Sequence, residues 1–446
     1  MFRLEHRADR ARLLADQLER IHERVIIAFV FHVVLVAFEG PDRYSFVGGL
    51  ATRMTDLSGA LLDRGHRVYH LFVGDPSLPT HEERYEGQLV LQRWSQWISR
   101  YHPRDVYDGE DGKYLDFSRT VPPYLANVVI PAAATRGERS VVLFEDWQTA
   151  AAAINTATLL SARTDRSATL FWNANNTYGF GRIDFPLLRR AASITTISRY
   201  MRMELAKVDV EAAVLPNGIA DRYLKPLAPS DVTAMRTAFG DRPTFVKVAR
   251  FDVDKRWLWA IDAIATMRDA GMRPRFIMRG SRSPYAETVG DRIFGRGLTV
   301  ERLALPQAAS SRDLAAAIAT TNAEVVFLDF FIDEKALRSL YAAADGVLAN
   351  SEKEPFGLVG LEVMASGGIA YLGRTGEDYA VPFGNAIVVQ SDDPRELLTS
   401  YLTLRERPEL GRSIRTDGRA TAKRFAWPRI LEGYESVWET AFALTS

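Results

Sequence analysis

Short apolar runs alternate with amphipathic stretches along most of the 446 residues. The runs have the length and the β-branched content of buried strands, and the stretches between them carry apolar residues at helical spacing. We predict strands at residues 33–38, 68–73, 89–94, 141–144, 169–172, 193–197, 212–215, 244–248, 275–278, 325–328, 346–349 and 369–372. We predict helices at residues 49–64, 116–135, 149–161, 257–270, 334–344, 395–405 and 430–441.

This alternation predicts an α/β protein with parallel sheets that are covered by helices on both faces. A polar, proline-containing segment at 221–241 interrupts the alternation, and we place a linker at about 217–225. The predicted domains are therefore 1–220 and 221–424, each a Rossmann-like unit. Ligands of such sheets bind at the carboxyl ends of the strands, so we expect the ligand in a cleft between the two domains.

The start of the chain carries two features that are not part of this alternation. Residues 1–24 have leucines at helical spacing among many charges and predict an amphipathic helix, which leaves a homodimer contact open. The apolar run 25–38 is shorter than the about 20 residues that cross a bilayer, and His32 interrupts it. We therefore expect a buried strand with a lead-in and no transmembrane segment.

Composition excludes several kinds of function. Lys plus Arg equals Asp plus Glu, at 56 each, so the whole molecule should not attract nucleic acid. The chain has no cysteine, which excludes disulfides, thiolate zinc sites and cysteine nucleophiles, and its seven histidines are scattered. We expect a cytoplasmic protein without a nucleic-acid partner.

The most informative segment is residues 350–368, NSEKEPFGLVGLEVMASGG. It joins a predicted strand to a helix, with Glu354 at the turn and Glu362 on the helix. The two carboxylates can accept hydrogen bonds from sugar and ribose hydroxyls, and the amides of Gly357 and Leu358 at the helix start can bind a diphosphate. Taken singly, two solvated surface carboxylates would be the simpler explanation.

As a whole, the segment resembles the Glu-x7-Glu signature of retaining glycosyltransferases of the GT-B fold, particularly glycosyltransferase family 4 and the bacterial glycogen and starch synthases. Residues 248–255, VARFDVDK, are similar to the Gly-Arg-x4-Lys segment of these enzymes, with Ala249 in place of the glycine. The resemblance implies that Arg250 and Lys255 neutralise the donor diphosphate. The donor-binding residues it implies in this half of the chain are Arg250, Lys255, Gly280, Glu354, Phe356, Gly357, Leu358 and Glu362.

The first half resembles the same enzymes more loosely. Residues 46–50, FVGGL, look like their Gly-Gly-Leu donor loop, so Gly48 and Gly49 are expected at the diphosphate, although Phe46 stands where those synthases have a lysine. Asp146 lies in a segment similar to Asp-Trp-x-Thr-Ala and is expected either to bind acceptor hydroxyls or to cap the following helix.

The segment LFWNANNTYGF, residues 170–180, occupies the place where many relatives carry His-Asn after a strand. In those enzymes the histidine contacts the donor sugar. Aligned on the following asparagine, Ala174 takes the histidine position and Asn175 that of the asparagine. Asn173 and Asn176 are the candidates to supply the missing hydrogen bond.

The resemblance implies transfer of a hexose from a nucleotide-diphosphate sugar to an acceptor hydroxyl, with retention at the anomeric carbon. It implies front-side attack without metal or cofactor, with Arg250, Lys255 and Glu354 as the catalytic residues. It also implies that the final helices, 425–446, cross back to the first domain. Two alternatives stay open: a retaining disaccharide phosphorylase on the same fold, and a nucleotide-sugar-binding protein without catalysis.

Overall fold

The computed structural model describes residues 30–162, 167–280, 283–306, 309–374 and 378–445. The predicted helix at 1–24 lies outside the described residues. Within them, no helix is long and apolar enough to cross a membrane.

The first half of the chain forms an eight-stranded sheet in the order β3-β4-β2-β1-β5-β6-β7-β8. All neighbouring strands are parallel except the β3 and β4 pair. Every residue of the central strand β1, FHVVLV, is buried, as expected for a strand with helices on both faces. The strands are β1 (Phe31–Val36), β2 (Arg67–Val73), β3 (His81–Arg84), β4 (Leu89–Trp94), β5 (Arg139–Glu145), β6 (Ala168–Ala174), β7 (Ser193–Thr196) and β8 (Ala213–Val214).

Seven helices accompany this sheet in the described residues. They are α1 (Gly49–Asp63), α2 (Gln96–Ser99), α3 (Glu110–Tyr124), α4 (Ile130–Thr135), α5 (Trp147–Ser161), α6 (Phe185–Ala191) and α7 (Arg199–Ala206). The helix predicted at 116–135 begins earlier and is not uniform: a π-helical turn, Leu125–Val129, joins α3 to α4. This turn directly follows Pro122 and Pro123, which cannot donate to the α-helical hydrogen-bond ladder.

The second half forms a seven-stranded parallel sheet in the order β11-β12-β10-β9-β13-β14-β15. Its strands are β9 (Thr244–Val248), β10 (Arg275–Arg279), β11 (Val300–Leu303), β12 (Val325–Leu328), β13 (Gly346–Ala349), β14 (Ala370–Leu372) and β15 (Ile387–Val388). Its helices are α8 (Pro229–Phe239), α9 (Trp257–Asp269), α10 (Tyr285–Gly295), α11 (Ser311–Thr320), α12 (Glu334–Ala343), α13 (Leu358–Ala365), α14 (Arg395–Glu406) and α15 (Pro408–Arg424).

The last helix, α16 (Trp427–Thr445), returns to the first sheet and packs against α1 and β6. The return is fixed next to the segment that links the two sheets. Ile219 and Ala426 form a parallel bridge there, with backbone hydrogen bonds of 2.8 Å from Ile219 N to Phe425 O and 3.2 Å from Trp427 N to Ile219 O. Gly218 lies against the Trp427 ring so closely that a Cβ at this position would be 2.4 Å from a ring carbon.

Arg53 joins the separate elements of this region. Its side chain is buried in α1, and it forms an ion pair of 3.0 Å with Glu145 at the end of β5. It also donates to the Tyr434 hydroxyl of α16, 3.0 Å away, and to the Asn217 side chain in the linker. A buried guanidinium whose nitrogens all donate hydrogen bonds holds the sheet, the linker and the last helix in one arrangement.

We expect Arg53→Met to lower the free energy of unfolding by about 3–5 kcal/mol, because it leaves the Glu145 carboxylate buried without its partner. Chemical denaturation followed by circular dichroism measures the change. Arg104→Met removes an exposed ion pair with Asp108 and should lower the free energy of unfolding far less. Equal losses in the two variants would contradict the role assigned to Arg53.

Candidate active site

The second sheet brings two distant loops together. Strands β9 and β13 are parallel neighbours, with Val246 opposite Val347, so the loops that follow them begin side by side. Lys255, in the loop after β9, places its Nζ 3.1 Å from Glu354 Oε2, in the loop after β13, although the two residues are 99 positions apart in the sequence. Lys255 also pairs with Asp254 at 3.2 Å.

The charge of Lys255 depends on these carboxylates. Burial alone would lower the pKa of its ammonium, but Glu354 and Asp254 outweigh burial and raise the pKa above the ordinary value. Lys255 therefore stays cationic at neutral pH. Its ammonium is held by the two carboxylates and can bind an anion.

Arg250 completes the cationic side of this site. Its carbonyl accepts a hydrogen bond of 2.8 Å from Trp257 Nε1, which fixes the backbone after β9. Its side chain is exposed, and among the described residues no hydrogen bond or ion pair engages the guanidinium. Arg250 is thus positioned by its backbone while its charge is available to a ligand.

The start of α13 lies directly after Glu354. Gly357 at the N-cap has a φ of 80°, in the left-handed region that glycine tolerates, and no side chain caps the helix. Phe356 was predicted to bind the donor, but its side chain is only 2% exposed and packs against Tyr379 and Phe425. Its side chain therefore anchors the loop in the core and does not face a ligand.

The predicted donor residue Gly280 follows β10 on the same edge of the sheet. A Cβ at this position would be 2.4 Å from the Phe251 ring, so a packing constraint accounts for the glycine here.

Glu362 lies on α13 towards the linker and not beside Glu354. It is hydrogen-bonded to Tyr223, and burial together with the neighbouring Asp56 and Glu334 carboxylates raises its pKa to about 7. Arg222 of the linker opposes this rise and bridges Asp56 of α1, at 2.9 Å, and Glu334 of α12, at 2.6 Å. Glu362 therefore stands where the two sheets are joined.

A second cluster of polar residues lies at the carboxyl ends of β5 and β6. Asp146 has a φ of 61° and accepts hydrogen bonds from Asn175 N at 2.8 Å and from Asn176 Nδ2 at 3.0 Å. Burial, reinforced by Glu145 and opposed by the hydrogen bonds from Asn175, raises the pKa of Asp146 to about 7. Asp146 stands at the N-cap position of α5, but its side chain makes no capping hydrogen bond, so the helix-cap alternative is wrong.

The asparagines of this cluster differ in what they can contact. Asn173 is completely buried, with its amide bonded to Glu145 at 2.9 Å and to Thr195 at 2.9 Å. It therefore cannot supply the sugar contact predicted for it, and Ala174 beside it is also completely buried. Asn175 and Asn176 are half-buried next to Asp146 and remain candidates for a substrate contact.

The predicted glycine loop at the start of α1 has a partner that the sequence analysis missed. The buried Glu39 carboxylate accepts hydrogen bonds from Gly48 N and Ala51 N, both at 2.9 Å, and from the Tyr107 hydroxyl. In this structure the Gly48 amide is bonded to a carboxylate, so a diphosphate could bind to it only by displacing Glu39. The available signal was an acidic residue directly after the apolar run of β1.

The chain is similar to known proteins in sequence and in fold. No protein-family model matches the chain. A GDP-mannose-dependent alpha-(1-6)-phosphatidylinositol dimannoside mannosyltransferase from Mycobacterium tuberculosis is 26% identical over 250 residues, which are 55% of this chain and 58% of that protein. The chain thus spans little more than half the length of this relative.

Solved structures cover more of the chain. The catalytic domain of starch synthase IV from Arabidopsis thaliana, bound to ADP and acarbose, superposes with a TM-score of 0.64 at 16% identity, over 93% of this chain and 100% of that one. Sucrose-phosphate synthase from Thermosynechococcus elongatus gives a TM-score of 0.63 at 17% identity, over 93% and 100%. The two Rossmann-like domains have the GT-B fold, so the predicted fold class is confirmed.

We expect Asp146→Asn to become more stable relative to the wild type as the pH rises from 5 to 8. The folded carboxyl has a pKa of about 7 against 3.8 ordinarily, so the folded state binds more protons and the wild type loses stability across this window. The difference in the free energy of unfolding should grow by up to about 2.5 kcal/mol between these two pH values. Denaturant titrations at both pH values measure it.

Asp291→Asn, on the exposed surface of α10, is the matched control and should show no such trend. A pH-independent difference between wild type and Asp146→Asn would contradict the buried-carboxyl interpretation.

Proposed function

We propose that the protein is a retaining, metal-independent glycosyltransferase that moves a hexose from a nucleotide-diphosphate sugar to an acceptor hydroxyl. The observation that carries the proposal is the convergence of Lys255 and Glu354 beside the uncapped start of α13. The relative from Mycobacterium tuberculosis, named for a GDP-mannose-dependent mannosyltransferase, supports it.

The donor would bind on the second domain. Its diphosphate would lie between the Arg250 guanidinium, the Lys255 ammonium and the amides at the start of α13, which together present positive charge. Glu354, already paired with Lys255, would accept hydrogen bonds from the sugar hydroxyls. Glu362 would accept hydrogen bonds from the ribose hydroxyls. Binding the ribose would exchange the Tyr223 hydroxyl bonded to Glu362 for a donor hydroxyl.

The chemistry would be front-side displacement. The acceptor oxygen attacks the anomeric carbon from the face that carries the diphosphate, the bond from that carbon to the diphosphate oxygen breaks, and the acceptor proton passes to the leaving phosphate. Arg250, Lys255 and the start of α13 would stabilise the charge that grows on the diphosphate. In other enzymes a divalent metal stabilises this charge. We propose that neither metal nor cofactor is required here.

The acceptor would approach from the first domain. Asp146 is held by Asn175 and Asn176 at the carboxyl ends of β5 and β6, and its raised pKa keeps part of the population protonated at neutral pH. A carboxyl of this kind can both donate to and accept from an acceptor hydroxyl. We assign orientation of the acceptor to Asp146 and Asn176.

We expect at least one of ADP, GDP and UDP to raise the melting temperature, because a ligand that binds only the native state stabilises it. Lys255→Met should abolish the shift by removing the cation that meets the diphosphate. Lys353→Met, which changes an exposed lysine beside Glu354, should keep it. Differential scanning fluorimetry with each diphosphate measures the shift, and the same melting temperature with all three would count against the proposal.

We expect Glu354→Gln to lower kcat for sugar transfer by about 10²–10³-fold, because the variant loses the charge that orients Lys255 and the donor sugar. The assay supplies GDP-mannose, UDP-glucose or ADP-glucose with a panel of sugar acceptors in the presence of EDTA. Proton NMR of the product reports the anomeric configuration, which should be that of the donor.

Other results of this assay would select another function. Inverted product or loss of activity with EDTA would contradict the mechanism. Sugar release that needs inorganic phosphate and no nucleotide would indicate a phosphorylase, and donor binding without transfer or hydrolysis would indicate a binding protein.

A further inference from the structure

A lysine lies buried beneath the proposed donor site. Lys247, on the central strand β9, is 1% exposed. Its ammonium donates to Leu348 O at 2.9 Å and to Asn350 Oδ1 at 2.7 Å, both at the end of β13. It also faces the Trp257 ring, 5.3 Å from the centroid.

These acceptors are all uncharged, which is unusual for a buried lysine. Among the described residues, no carboxylate pairs with the Lys247 ammonium. The charged groups that act on it are two cations, Lys255 and Arg256, and two anions, Glu354 and Asp254. A buried charge without a paired counter-charge is costly, whereas a methionine would fill the same space at little cost. Packing alone does not account for a lysine here.

The position of Lys247 offers an explanation. It spans the ends of β9 and β13, the two strands that lead directly to Arg250 and to Glu354. A diphosphate bound between Arg250, Lys255 and the start of α13 would bring negative charge to this edge of the sheet. Burial first, and then the neighbouring cations Lys255 and Arg256, lower the pKa of Lys247 to about 7, so it is only partly charged in the free protein.

We propose that Lys247 is a third, buried cation of the donor site, which takes up a proton when the donor diphosphate binds. This inference rests on the proposed function, because it assumes that the anion bound here is a nucleotide-sugar diphosphate. Lys247 is a positioning residue: it does not touch the donor but holds the end of β13 through Asn350 and adds positive charge beneath the anion.

Donor binding and protonation of Lys247 should favour each other. A bound anion favours the charged form and raises the pKa of Lys247, so at pH 8 the free protein is mostly neutral at this site and the complex mostly protonated. Binding should therefore take up about 0.4 to 0.8 proton at pH 8, and affinity should fall as the pH rises from 7 to 9. A rise of about one to two pKa units corresponds to a ten- to hundredfold gain in affinity.

Isothermal titration calorimetry tests this directly. Whichever of GDP-mannose, UDP-glucose and ADP-glucose binds is titrated without acceptor at pH 8, in Tris and in HEPES, whose ionisation enthalpies differ. Both phosphates of a nucleotide sugar are diesters that are already fully ionised near neutral pH and bind no proton there, so uptake belongs to the protein. If the wild type takes up a proton, its observed binding enthalpy should differ between the two buffers in proportion to their ionisation enthalpies.

Two variants separate charge from structure. At pH 8, Lys247→Met should bind the donor about two- to tenfold more weakly and take up less of a proton than the wild type. Lys247→Arg keeps a permanent charge, so it should take up less of a proton than the wild type, and its affinity should fall less between pH 7 and 9. If Lys247→Met fails to fold, Lys247→Arg carries the test, since a purely structural lysine would leave the proton count unchanged.

Lys113 supplies the matched control. It is also a buried lysine with uncharged acceptors, the Tyr44 hydroxyl and three carbonyls, but it lies in the first domain. Lys113→Met should keep the proton uptake of the wild type. Donor binding with no uptake in the wild type, or with undiminished uptake in Lys247→Met, would overturn the inference alone. Failure of all three nucleotide sugars to bind would overturn the proposed function as well.

Discussion

The parallel pairing of β9 with β13 is the constraint on which the proposed site depends. It sets side by side two loops that are nearly a hundred residues apart, and the contact between Lys255 and Glu354 is the direct result. Because the same edge also carries the start of α13, cations, a carboxylate and free helix amides share one small region. Buried Lys247 ties the two strand ends together from below.

In the first domain, the buried charge of Arg53 connects several elements. Arg53 fixes Glu145, and Glu145 in turn accepts hydrogen bonds from Asn173 and Asn175, so the cluster around Asp146 is anchored to the linker and to the last helix. The cluster to which we assign acceptor binding and the crossing of the chain are thus parts of one hydrogen-bonded network. A disturbance at Arg53 would reach Asp146 through shared partners.

Apolar periodicity was sufficient for the buried strands: Leu89–Trp94, Thr244–Val248, Val325–Leu328 and Gly346–Ala349 have the predicted bounds. It missed β3, β11 and β15, because the first two carry exposed, charged residues and the third is two residues long. The resemblance to retaining GT-B enzymes predicted that Glu354 and Lys255 serve one donor, and the structure places them 3.1 Å apart on neighbouring loops. The resemblance could not show that Asn173 is buried, that Phe356 packs in the core or that Glu39 occupies the Gly48 amide, because these depend on contacts between distant elements.

The proposed donor site requires one diphosphate to bind Arg250, Lys255 and the start of α13 together. A crystal structure of the protein with a bound nucleoside diphosphate tests this most directly. We expect phosphate oxygens within about 3 Å of both cationic side chains and of an amide at Gly357 or Leu358. A diphosphate bound elsewhere, with Lys255 still engaged only by Glu354 and Asp254, would contradict it.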